Sequence, residues 1–517
     1  MRIDMTDRRH LSACAGLLAW MTLMAALAAS AWGADAPPPR LSFDELIALS
    51  REDNPDPALQ AKLHTILTTP VVRNRTQTAA GPSAVLRVTE WNIARGENLG
   101  GIEEALTSPE TFVQHAQREK KSSAADLVRL RNQAALLRQS DVVILNEVDI
   151  GVKRTDYKNV VDELADLLGM SSAYAVEFVE VDGLEDLGTE PAVLETPALS
   201  TRMTEDLKPD RSRYQGLHVN AILSRYPLRN VRVISLPVCH DWYADEKQAI
   251  SQLEKAKRKA ADIAFLERIA REIRRGNRNA LVGEIAVPGL AQPVRLVNAH
   301  LENKCKGNCR DRQMRTILKE TGDTTGPLVL AGDLNTTGTD GTPTSIRYEL
   351  MTRVKDYQFW VSTLLKFTPV GVPAFVTMPF NFWKNYRDPT ARHIPFFGRN
   401  PEARLFANVR NFKFADGGRF DFRGVKRSNL QKSGKTLSDS NERANKGFVP
   451  TFSMERNFGG VFRYRLDWIF VKPPKEAAKK SRMGFQPEMP VTMNVLNTAL
   501  AEELSDHAPI SVEIPTL

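Results

Sequence analysis

The polar residues able to do chemistry collect at the ends of apolar, strand-like runs. Arg87 to Trp91 leads into Asn92, Val142 to Leu145 into Asn146 and Glu147, and Val294 to Val297 into Asn298 and His300. Leu328-Val329-Leu330-Ala331 leads into Gly332, Asp333 and Asn335, and Ser505-Asp506-His507 stands just before the run Ala508 to Ile514. A single residue of this kind is ordinarily a turn or cap. Five such ends together supply carboxylates, amides and imidazoles without cysteine, a set suited to acid–base chemistry around a hard, oxygen-preferring cation such as Mg²⁺. Asp333 and Asn335 are two apart, so in extended backbone they would face one side and grip one ligand. Asp467 lies inside Arg465 to Val471, a run apolar on both faces, where a carboxylate must be paired to be tolerated. A histidine is its natural partner, because the carboxylate sets the tautomer and stabilises the imidazolium.

These ends need a scaffold of alternating strands and helices, and the pattern from Val85 onward is that of an α/β chain. The helix Ala124 to Arg138 leads to the strand Val142 to Leu145, and the helix Lys158 to Leu168 stops at Gly169 before a strand from Tyr174 to Val181. Residues 41 to 68 read as two short helices, the first opened by the capping box Ser42-Phe43-Asp44-Glu45 and the second by Pro57 after Asp56. Three segments read as insertions. Residues 182 to 217 are loop-like, and a charged helix from 244 to 275, ending at Gly276-Asn277, dominates 238 to 277. Residues 340 to 449 are aromatic at first and basic later. In the last of these, Asn411 to Phe414 and Arg419 to Phe422 flank Gly417-Gly418 and read as a β-hairpin. Its four Phe either pack on the domain or stand exposed, where they could stack bases or enter a lipid interface.

The chain has 517 residues and a net charge of +8, from 70 basic and 62 acidic residues. This composition excludes a disordered, collagen-like or multi-pass membrane chain, and the basic excess favours anionic partners. Sixteen Lys or Arg against six acids stand between Arg392 and Arg465, so the excess is concentrated just before Asp467. Arg2, Arg8 and Arg9 precede an uncharged run from Leu11 to Gly33 that ends in Ala31-Trp32-Gly33, the pattern of a cleavable signal peptide over 1–33. An exported protein, periplasmic or secreted, is therefore expected. Four cysteines are too few for a disulfide scaffold. Cys305 and Cys309 are expected to close a small local loop, leaving Cys239 unpaired, and no second Cys or His pair makes them a zinc site.

The ordered motifs Trp91-Asn92-Ile93, Leu145-Asn146-Glu147-Val148, Asn220 to Arg225, Asn298-Ala299-His300-Leu301, Gly332-Asp333-Leu334-Asn335, Leu466 to Phe470 and Ser505 to Pro509 resemble those of the endonuclease/exonuclease/phosphatase superfamily. The superfamily includes pancreatic-type deoxyribonucleases, apurinic-site endonucleases, neutral sphingomyelinases and inositol polyphosphate 5-phosphatases. The resemblance implies a four-layer α/β sandwich of two packed mixed β-sheets flanked by helices, over residues 85–517, behind a helical extension at 34–84. It implies Glu147 as main metal ligand with Asn92 and Asp506 beside it, holding Mg²⁺ or Mn²⁺. Asp333 and Asn335 would orient the attacking water and the phosphate. His507, paired with Asp467, would act as base or phosphate stabiliser, and His300 would serve the leaving oxygen. Asn146 stands where Gln is common, and Leu-Asp-Trp lacks the Cys-Asp-Arg pattern of the 5-phosphatases. His300 matches the deoxyribonuclease and sphingomyelinase branches.

The expected function is thus a Mg²⁺-dependent phosphoesterase acting on an anionic phosphoester, with nuclease as the leading form. A phospholipid, sphingolipid or small phosphorylated metabolite is the alternative substrate, and a non-catalytic binding module on the same fold is the third reading. No obligate protein partner is evident in the sequence.

Overall fold

The computed structural model describes residues 39–75, 85–120, 123–181, 209–248, 273–336, 390, 400–420, 424–426, 440–443, 448–453, 463–473 and 490–516. From Leu41 onward they belong to one compact unit. The segment expected to be a signal peptide, most of the loop-like insertion and most of residues 340–449 lie outside the described residues. Among those described, no helix is long and apolar enough to cross a membrane.

Two mixed sheets form the centre. In the first, β2 (Val85–Arg95) lies parallel to β3 (Val142–Ile150) and antiparallel to the strand Ile510–Pro515. β5 (Leu217–Ser224) and β4 (Ser171–Glu180) extend this sheet beyond β3, and β1 (Val71–Arg73) pairs with β4. The second sheet orders Asp467–Lys472, β10 (Leu328–Asp333), β9 (Val294–Ala299), β8 (Asn279–Ile285) and β6 (Leu228–Ser235). Period-two alternation assigns each strand an inner and an outer face. Leu86, Val88, Val142, Ile144, Ala173, Ala175 and Ile222 of one sheet share a buried cluster with Leu281, Leu296, Val329, Ala331, Ile469 and Val471 of the other. The outer faces carry Trp91, Val143 and Leu145 against helices on one side, and Leu328, Leu330, Trp468 and Phe470 on the other. The result is the helix–sheet–sheet–helix sandwich that the motifs imply.

Several local readings hold. Ser42 and Glu45 form the reciprocal capping box of the helix Phe43–Arg51, and Pro57 opens the helix Pro57–Thr68. Helices run over Ala124–Arg138 and Val160–Leu168, the latter ended by Gly169 in the left-handed region. Others are corrected. The expected helix over 244–275 is a short helix, Ala244–Gln248, at its start and a strand, β7 (Arg274–Gly276), at its end, with 249–272 outside the described residues. Gly276 is needed for the approach of this strand to β4, since at φ 127° a Cβ would stand 2.1 Å from the Glu177 carbonyl oxygen.

The expected hairpin is absent too among the described residues 411–420, with Asp421 and Phe422 outside them. Asn411 ends the helix Ala403–Asn411, and Phe414 to Gly418 closes a tight turn instead. Phe414 and Phe420 are buried, and Phe420 meets Phe470 at a ring separation of 6.1 Å. Their burial against the sheet decides the outcome: these rings are core, not a substrate platform.

Candidate active site

The inner faces turn polar at one common end. Val142 and Ile144 are followed on that face by Asn146, Leu296 by Asn298 and His300, and Val329 and Ala331 by Asp333. In strands running the other way, His218 and Asn220 come before Ile222, and Asp467 before Ile469. Asparagines make the floor. Asn146 donates to the side-chain oxygens of Asn220 at 2.7 Å and Asn298 at 2.8 Å, and accepts from the Asp333 backbone N–H at 2.9 Å. Asn298 in turn donates to the carbonyls of Leu145 and Ala221. This network joins the two sheets and leaves no buried amide of that row idle.

Asp333 sits at the end of β10 opposite Asp467 in antiparallel register. Its Oδ2 accepts from Asn92 Nδ2 at 3.2 Å and its Oδ1 from the Asn335 backbone N–H at 2.8 Å. Asn335 departs from the extended geometry expected of it. With φ at 49° it turns off the strand, and its side-chain amide donates to the Leu301 carbonyl at 3.0 Å, tying the Asp333 loop to the His300 loop.

His507 bridges the acids. Its Nδ1 lies 2.8 Å from Asp467 Oδ2, and its Nε2 stands 3.9 Å from both Asp333 Oδ2 and Asp506 Oδ1. Burial opposes its charge, but Asp467 and Asp506 outweigh this and hold the imidazole well above its usual range. Phe452 covers its ring at 5.0 Å.

Across the site, Glu147 sits at an irregularity of β3 with φ 51°, which swings its side chain toward the rim, where a quarter of it is exposed. Burial would raise its pKa, yet the charges of His300, His218, Arg95 and Arg278 drive it far below the ordinary value. His300 is buried, with Nδ1 3.0 Å from Glu177 Oε2 and 2.7 Å from Arg278 Nη1. Its Nε2 has no hydrogen-bond partner and lies 3.7 Å from Glu147 Oε1 and 3.8 Å from Asp333 Oδ2. Glu177 is fully buried; burial is overcome by His300 and Arg278, and its pKa falls to about 2.

The donor set fits a divalent cation. Ligand atoms of Glu147, His300 and Asp333 all lie within 4.8 Å of one another, and so do those of Asp333, Asp467 and His507. About half of the Asp506 side chain is exposed at the rim, and its pKa is raised by the partial loss of solvent there and, against His507, by Glu147, Asp333 and Asp467, a repulsion that a cation relieves. Asn92 Oδ1 accepts from the Ala94 backbone N–H at 3.0 Å, which aims the amide into the site.

All eight residues expected from the sequence come to this one rim. Sequence reasoning missed Glu177, Arg278 and Glu90. Glu90 is buried beside Asp467 and Asp333, both its carboxyl oxygens lack hydrogen-bond partners, and burial together with those two acids raises its pKa well above the carboxylate range. The signal for Glu90 and Glu177 was the one that marked Asp467: an acid inside an apolar strand.

A family model described as "Endonuclease/Exonuclease/phosphatase family" matches residues 90–507. No functionally curated protein matches the chain. Among solved structures, the chain is similar to an endonuclease/exonuclease/phosphatase from Beutenbergia cavernae, at 17% identity over 84% of this chain and 72% of that one, with a TM-score of 0.33. It is similar to a 3'-5' exonuclease from Neisseria meningitidis, at 14% identity over 83% and 100% of the two chains with a TM-score of 0.37. The human Nocturnin catalytic domain follows at 12% identity over 86% and 96%, with a TM-score of 0.33. The family match runs from Glu90 to His507, and the chain belongs to the endonuclease/exonuclease/phosphatase family.

Proposed function

We propose that the protein is an exported, Mg²⁺-dependent phosphoesterase that hydrolyses phosphodiester bonds, with nucleic acid as its leading substrate. One observation carries the chemistry. Two imidazoles held by carboxylates, His300 by Glu177 and His507 by Asp467, bring their Nε2 atoms to 3.8 and 3.9 Å from a single oxygen of Asp333. An acid between two such imidazoles suits a tetrahedral phosphoryl group with an attacking and a leaving oxygen on opposite sides.

In this reading Asp333 Oδ2 orients the attacking water and accepts its proton. His507, held charged by Asp467, donates from Nε2 to a phosphoryl oxygen, and His300 Nε2 serves the leaving oxygen. Asn335 fixes the loop that carries His300, and Asn92 fixes Asp333. A divalent ion on Glu147, with Asn92 and Asp506 beside it, would offset charge on the phosphoryl oxygens. Burial of the Phe414 and Phe420 rings removes them as a platform for stacked bases and as a lipid interface alike, while the basic run up to Arg465 fits a polyanion. The complete set of acids and imidazoles speaks against a non-catalytic module.

The test is a screen of purified protein against duplex and single-stranded DNA, RNA, sphingomyelin and a chromogenic phosphodiester, with Mg²⁺ and with EDTA. Metal-dependent cleavage of nucleic acid, lost by orders of magnitude in Glu147→Ala and His507→Ala, is expected. Full activity in both variants would overturn the site, and cleavage of sphingomyelin alone would move the substrate to lipid. Mass spectrometry of the secreted or periplasmic protein should find an N-terminus near Ala34; an intact Met1 in membranes would refute export.

A further inference from the structure

The cysteines do not pair as expected from their spacing. Cys309 is bonded to Cys239, with Cα atoms 6.0 Å apart, and Cys305 keeps a buried free thiol. The helix Gly307–Thr321 places Cys309 in its first turn, facing the segment that carries Cys239 and Trp242 instead of Cys305. All three Sγ atoms nevertheless lie within 4.8 Å of one another.

We propose that Cys239, Cys305 and Cys309 form a thiol–disulfide exchange site in which the crosslink migrates from Cys239–Cys309 to Cys239–Cys305. The Cys305 thiol gives its proton to solvent and its sulfur bonds to that of Cys239. The Cys239–Cys309 bond breaks, and its electron pair leaves on Cys309, which then takes up a proton. Nothing is oxidised or reduced overall, so no further reactant is needed.

Geometry selects Cys309 as the leaving group. Its sulfur is 2.9 Å from Arg312 Nη2 and lies at a helix N-terminus, and both stabilise a thiolate. A thiol held against a disulfide reacts at an effective concentration far above that of any dissolved thiol. Burial pushes the Cys305 thiol up to about 12, so the exchange is slow at neutral pH, although the rare thiolate is the more nucleophilic for it. Chain entropy barely distinguishes the isomers, because migration shortens a separation of 70 residues by only four.

The move has a consequence beside the active site. Cys305 closes the loop that begins at His300, and Trp242 Nε1 donates to Glu302 in that loop at 3.0 Å. Glu302 pairs in turn with Arg278, the neighbour of His300. Migration therefore shifts the anchor of the Trp242 segment from the helix to the loop of His300.

Trypsin separates the isomers, since Lys304, Lys306 and Arg310 place Cys305 and Cys309 in different peptides. The full chain would be held overnight in a glutathione redox buffer near pH 8.5, blocked with N-ethylmaleimide in acidic denaturant and mapped by mass spectrometry. The Cys239–Cys305 link is expected in about a tenth of chains or more. In Cys309→Ala the same link should form, with a thermal midpoint close to that of the wild type. Wild-type chains linked only as Cys239–Cys309, or a Cys305–Cys309 link with Cys239 free, would overturn the proposal. So would a folded Cys309→Ala protein in which Cys239 and Cys305 both stay free; if that variant does not fold, the wild-type map decides alone.

Discussion

Asp333 and Asp467 face each other directly across an antiparallel pair of strands, and His507 stands with one ring nitrogen on each side of that confrontation. Like charges directly opposed destabilise a sheet. Here the imidazole turns the repulsion to use: Asp467 holds Nδ1, and Nε2 is left 3.9 Å from Asp333.

Asp467→Asn should therefore act through His507. The raised imidazole pKa should drop, seen as an earlier loss of the His507 ring signals by NMR titration. Turnover should fall by about 10²- to 10⁴-fold with little change in fold. The sign for stability follows from the raised pKa. The pairing contributes fully below the unfolded value of 6.5 and is lost as pH rises through the folded one, a loss that Asp467→Asn should abolish.

Glu177 gives the opposite window. Its pKa is depressed from 4.5 to about 2, so its contribution is present above 4.5 and lost as pH falls toward 2. Acid unfolding of Glu177→Gln should be flatter than that of the wild type over this range. Stability at pH 7 should drop by about 3 kcal/mol, read by urea titration, because the Arg278 charge is left buried.

Gly332→Ala should fail as a fold. At φ 143° a Cβ would stand 1.9 Å from the Ala299 carbonyl oxygen, backbone against backbone, between β9 and β10. A loss above about 4 kcal/mol, or no soluble protein, is expected. A normal thermal midpoint would show that the two strands can separate locally.

Neutralising Arg423, Lys426 and Arg427 should raise the Michaelis constant for a polymeric substrate and flatten its salt dependence. Turnover of a small chromogenic phosphodiester should stay near the wild-type level. Equal loss on both substrates would make this stretch a support for the site.

The sequence by itself determined the chemistry-bearing residues and the strands that end in them. Alternation along Val329, Ala331 and Asp333, or Ile469 and Asp467, is a local property with a period of two, and it survives into the sandwich unchanged. The capping box at Ser42 and the stop at Gly169 are equally local. What depends on which strands become neighbours was decided only by the tertiary structure. Glu177 reaches His300 across 123 residues, and Asn146 meets Asn298 across 152, through the packing of one sheet on the other. Residues 274–276 became a strand because β4 offered an edge, whatever the charged helix expected over 244–275 implied. Cys309 joined Cys239 instead of its neighbour Cys305 because the first turn of a helix fixes where its side chain points.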